Sequence, residues 1–111
     1  MTPVLGPPRH LSRSSKALWR RLMAEYGLEH EPHALRVLTL ACEALDRCEE
    51  ARGALATHGT TYLDRFGAPR ARPEVAIERD SRTAALRAFR ELSLDGEAAE
   101  PRVPRVGGGR A

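Results

Sequence analysis

Lysine is almost missing from this chain of 111 residues: Lys16 is the single one among eighteen basic residues, and the rest are arginine. Aromatics are equally thin, limited to Trp19, Tyr26, Tyr62, Phe66 and Phe89. A core that must be built from Leu and Ala suits packed helices better than a β-sandwich. No apolar run approaches the 18 or so residues of a membrane span, so no membrane is expected as partner. The first fifteen residues are polar and basic without an apolar stretch. A signal peptide is therefore not expected, and the protein should stay in the cytoplasm rather than be secreted. The two cysteines, Cys42 and Cys48, lie six residues apart in a helical pattern and point in different directions. Reduced, buried thiols are expected rather than a disulfide.

Chemistry is missing as well. There is no G-x-x-x-x-G-K-[ST] phosphate loop, and Gly107 to Gly109 precede no helix. No G-x-S-x-G turn occurs. His30 and His33 sit beside Glu29 and Glu31, but without the spacing of a zinc site or cysteines to complete one. Asp46 with Glu49 and Glu50 reads as a solvated helix face. No catalytic residue, metal or cofactor is expected, which leaves binding.

What is present is helical patterning over one domain. Pro3, Gly6, Pro7 and Pro8 predict an extended leader over residues 1–11. Ser12 or Ser14 can cap a first helix reaching Tyr26, where Gly27 stops it. Trp19, Leu22, Met23 and Tyr26 share one stripe of that helix. Glu31-Pro32 opens a second helix running from His33 to about His58, near 39 Å long. It carries two apolar rows. Leu35, Leu38, Cys42 and Leu45 form one; Val37, Ala41, Ala44, Cys48, Ala51 and Leu55 form the other. So broad a surface exceeds what a short chain can cover, which argues for self-association through Leu35, Leu38, Cys42, Leu45, Cys48 and Leu55.

Gly59 ends the helix, and Thr60 to Arg70 predict a short β-hairpin or an ordered loop. Pro73-Glu74 starts a third helix that extends to about Leu92. Its inner face is expected to comprise Ile77, Ser81, Ala84, Ala85, Ala88, Phe89 and Leu92, with Glu78–Arg82 and Arg87–Glu91 paired on the outside. The fold class is thus mainly α: a long central helix packed against a C-terminal one, a hairpin between them, and flexible termini. The domain is expected over residues 12–94, with a disordered tail over 95–111.

Net charge is +3. Two basic groups stand out. Arg13, Lys16 and Arg20 recur at i, i+3 and i+7 on the first helix, with Arg9 and His10 upstream. Arg65, Arg70 and Arg72 cluster on the hairpin. Arginine suits phosphate forks, and many weak contacts add steeply on a polyanion. Each group is also compatible with a merely solvated surface.

Taken in order, these segments resemble one family. Pro8 to Ser12, the Trp19 helix and Tyr26-Gly27-Leu28 look like the opening of short, helical phage terminase small subunits. Ala41 to Arg47 is similar to the central helix of that family, and Gly59 to Arg70 to its hairpin. Pro73 to Asp80 and Leu92 to Asp95 resemble the start and close of its third helix. The resemblance implies a non-enzymatic, ring-forming subunit of a genome-packaging motor in the infected host cell. It would bind double-stranded phage DNA and present it to a large subunit carrying ATPase and nuclease. A small dimeric DNA-binding regulator and a protein-only adaptor are the alternative readings of the same residues.

Overall fold

A computed structural model describes residues 6–92. In chain order it holds α1 (Arg13–Tyr26), a single 3-10 turn (Leu28–His30), α2 (Pro32–His58), β1 (Thr61–Leu63), β2 (Pro69–Ala71) and α3 (Pro73–Glu91). The expected order of three helices and a hairpin is the observed one. The expected tail lies outside the described residues.

Local chemistry sets each boundary. Ser12 caps α1, its hydroxyl accepting from the Ser15 backbone N–H at 3.1 Å. Gly27 closes α1 in the left-handed region at φ 58°, its N–H returning to the Met23 carbonyl. Pro32 and Pro73 occupy first-turn positions of α2 and α3, where the missing N–H costs no helical hydrogen bond.

α2 is the spine. Its 27 residues span about 40 Å, and it packs far more extensively against α3 than against α1. The hairpin reverses the chain, so α3 runs back along α2. Small groups line that seam: Ala41, Cys48 and Ala51 from α2 meet Ser81 and Ala85 from α3, all buried. The Ser81 hydroxyl donates to the Ile77 carbonyl of its own helix, which removes its need for a partner across the seam. Leu11, Trp19, Met23, Leu28, Ala34, Leu38 and Cys42 form an apolar cluster at the other end, with Leu22, Leu35, Phe89 and Leu92 packed against it. Trp19 turns its indole N–H toward the Thr39 hydroxyl at 3.4 Å.

Four expectations change. Leu11, assigned to the leader, is only 4% exposed, and its N–H returns to the Pro8 carbonyl in a turn. The folded unit therefore begins before Ser12. Leu38, Cys42 and Cys48 are used up inside the protomer, at 0%, 0% and 4% exposure, and Leu35 packs on the same cluster. The three buried residues are not available as a subunit interface; of the six residues assigned to it, Leu35, Leu45 and Leu55 remain half-exposed. On α3, Ile77 and Ala84 face outward and Glu78 faces the seam. Glu78 does pair with Arg82 at 3.3 Å, but it also accepts from Cys48 and pairs with Arg52 of α2 at 3.4 Å.

Asp46 is the fourth change. It is not a solvated acid: the Ser12 N–H, Ser12 hydroxyl and Ser15 hydroxyl donate to its carboxylate at 2.7, 2.6 and 2.6 Å. An acid from α2 thus sits on the positive end of the α1 dipole. One turn away, His10 meets Glu43 at 2.6 Å. Partial burial pushes the Asp46 carboxyl up. The hydrogen bonds from Ser12 and Ser15, helped by His10, outweigh this and hold it below the usual carboxylate range.

Asp46→Ala should lower stability by about 1–2 kcal/mol, the scale of a missing helix cap, read as the urea midpoint. Because the folded carboxyl titrates low, its contribution is complete above the unfolded-chain value and is lost as pH falls through the folded one. Below about pH 4, wild type and Asp46→Asn should therefore converge in stability.

Candidate nucleic-acid interface

The two basic groups differ in what their charges already do. On α1, Arg13 and Arg20 are exposed and Lys16 is half-buried, with exposed Arg9 just upstream. None of the four has an acidic partner among the described residues. Their neighbour Arg21 is answered by Glu25 at 3.3 Å. Like charges at i, i+3 and i+7 repel by a few tenths of a kcal/mol per pair. Asp46 already fills the helix N-terminus, so an anion here would be held by the side chains and not by the α1 dipole.

On the hairpin, the arginines have structural work. β1 and β2 pair antiparallel in the register Thr61–Ala71, Tyr62–Arg70 and Leu63–Pro69. Asp64 builds the connecting turn. Its carboxylate accepts from the Phe66 and Ala68 N–H groups at 2.8 and 2.9 Å and from Arg70 at 3.0 Å. Gly67, at φ 80°, supplies the left-handed residue that lets the chain return. The Ala68 and Phe66 amides and Arg70 outweigh desolvation and lower the Asp64 carboxyl from its ordinary value. Arg72 lies 3.3 Å from Glu74 at the start of α3 and is half-buried. Arg65 lies over the Phe66 ring, 5.0 Å from its centroid.

The groups do not form one patch. Ser12 and Ser15 contact Asp46, near the middle of α2, whereas the hairpin leaves its end at Gly59. Twelve helical residues, about 18 Å, separate these points along the axis. Helical spacing identified the α1 stripe. It could not reveal which arginines are answered, because those partners depend on the turn around Asp64.

Among the described residues no cluster of three or more His, Cys, Asp or Glu could hold a metal ion. No described helix is long and apolar enough to cross a membrane. Both cysteines are buried free thiols. Burial, then Asp46 and Glu43, push the Cys42 thiol up to about 11. Burial and Glu78 also raise that of Cys48.

These features define a helical scaffold with a basic face on α1 that no described acid answers. The family model for "phage terminase, small subunit" matches residues 15–103. The chain belongs to the phage terminase small-subunit family. Searches of curated proteins and of solved structures return no match.

Asp64→Ala should speed amide exchange at Phe66 and Ala68 while leaving α2 and α3 protected. The same loosening should appear in wild type as pH falls through the lowered Asp64 value. At pH 8 a thiol titrating near 11 is thiolate in about one molecule per thousand. Labelling of Cys42 by a disulfide reagent should therefore track unfolding, and fast labelling of native protein would contradict its burial.

Proposed function

We propose that the chain is the DNA-recognition subunit of a phage genome-packaging terminase. It assembles with copies of itself, binds double-stranded phage DNA and delivers it to a large subunit carrying the ATPase and nuclease, contributing no catalysis. This takes place in the cytoplasm of the infected host. Family membership supports the packaging role. One observation supports the DNA contact: Arg13, Lys16 and Arg20 of α1, and Arg9 just before it, have no acidic partner among the described residues, while Arg70 and Arg72 are paired within the protomer.

Phosphates would answer the stripe and relieve its internal repulsion. One α1 can neutralise only a few phosphates, and affinity for a polyanion climbs with the number neutralised. Repeating α1 around a ring converts weak binding into useful avidity. α2 is a scaffold in this scheme and not a groove-reading helix, because α1 and α3 cover it. The hairpin residues Arg65, Arg70 and Arg72 are secondary contacts at most.

The test is charge reversal. Arg13→Glu, Lys16→Glu and Arg20→Glu together should weaken binding to duplex DNA at least tenfold. The slope of log affinity against log salt should become shallower by about 1 for each phosphate that is no longer neutralised. Arg70→Gln should have a smaller effect. Wild-type protein that fails to bind duplex DNA in low salt would refute the DNA role and leave the protein-only adaptor. Light scattering should give a discrete oligomer larger than a dimer. A dimer shifting one short palindrome, with no ATPase partner, would point to the regulator.

A further inference from the structure

α2 and α3 leave a groove on the outer side of their seam. On α3 it is lined by Glu74, Ile77, Ser81, Ala84 and Ala88, spaced three and four apart and so in one line along the helix. On α2, Leu40, Ala44, Arg47, Ala51 and Ala54 keep the same spacing. The line covers 15 residues, about 21 Å from first to last. Two hollows of about 470 and 200 Å³ lie along it, with Arg47 lining both. Alanines form its floor, and Leu40 and Ile77, 53% and 40% exposed, stand at its edges. Glu43, Glu50 and Glu74 stand on the rim; His10 meets Glu43, Arg72 lies 3.3 Å from Glu74 and Arg47 3.9 Å from Glu50, which leaves Glu50 the most loosely paired and most open of the three.

The hairpin has the opposite character. Every strand residue is exposed, Leu63 at 69%, and so is Phe66 in the turn at 80%. Its tip carries Arg65, while Arg70, though paired with Asp64, keeps 62% of its side chain exposed. A lone two-stranded hairpin is marginal in water and needs a surface to rest on. Its own α2–α3 groove does not serve, since the hairpin projects from the end of α2 with Tyr62, Leu63 and Phe66 all open to solvent.

We propose that the hairpin of one copy seats in the α2–α3 groove of the next, with Phe66 and Leu63 on the alanine floor and Arg65 toward the acidic rim. The proposal rests on the reading that the chain self-assembles, and it names the joint. Apolar surface meets apolar surface, and basic tip meets acidic rim. The two halves of this joint are different patches of the same chain, so the contact is head-to-tail. Repetition of such a joint closes a ring if the rotation between copies permits. It replaces α2's buried row, Leu38, Cys42 and Cys48, with the surface the protomer leaves uncovered.

Two single variants and their mixture test it. Phe66→Asp spoils the hairpin, and Ala84→Arg blocks the groove. Both sites are exposed, and arginine is a good helix former, so both variants should keep the wild-type circular dichroism. Leu63→Glu and Ala84→Lys replace either variant that misfolds. By native mass spectrometry, wild type should be a closed oligomer and each variant a monomer. Mixed at concentrations well above those at which wild type assembles, they should give a heterodimer, because one intact hairpin still meets one intact groove. A folded Phe66→Asp or Ala84→Arg protein at the wild-type mass, or a mixture that stays monomeric, overturns the joint and leaves self-assembly standing. A monomeric wild type overturns self-assembly itself.

Discussion

Everything in this fold hangs on the closeness of α2 and α3. Ala41, Cys48 and Ala51 against Ser81 and Ala85 bring the two backbones together with little side-chain volume between them. Each such residue removes little apolar surface from water, so the seam must be long to count. A helix of 27 residues opposite one of 19 supplies that length. A bulky side chain at Ala85 or Ala51 would have nowhere to go without prising the helices apart. The Cys48–Glu78–Arg52–Arg82 cluster then fixes the register at the edge of the seam with directional polar contacts.

The elements themselves were legible because their causes are local. Ser12, Gly27, Pro32, Gly59 and Pro73 mark boundaries by backbone chemistry that needs no tertiary partner. The hairpin could be read from its β-formers and Gly67. Less legible was how α2 divides its apolar rows, because that depends on where α1 and α3 dock. Leu38 and Cys42 looked like surplus surface only while α1 had no position. Asp46 and Glu78 carry no signal of their roles in sequence: their partners lie about 30 residues away.

The candidate interface was read with the same split. A stripe at i, i+3 and i+7 follows from helical geometry, so Arg13, Lys16 and Arg20 could be grouped at once. Whether a basic group is free to bind an anion depends on the acids folded beside it. Asp64 and Glu74 engage Arg70 and Arg72; among the described residues nothing comparable reaches the α1 stripe. Counting arginines overstates the hairpin and understates the difference between the two ends of the molecule.

The clasp at Asp46 has a mechanical side. α1 is held by one apolar cluster around Trp19 and Met23, by Asp46, and by the His10–Glu43 pair. That is far less than joins α2 to α3, so α1 should open at a lower free energy than the α2–α3 pair. The helix bearing the basic stripe is thus the more lightly held of the two that pack on α2, although its departure would uncover Leu38 and Cys42. In the proposed assembly on DNA, a basic helix held this lightly would adjust to a duplex whose groove spacing does not match the symmetry of the ring.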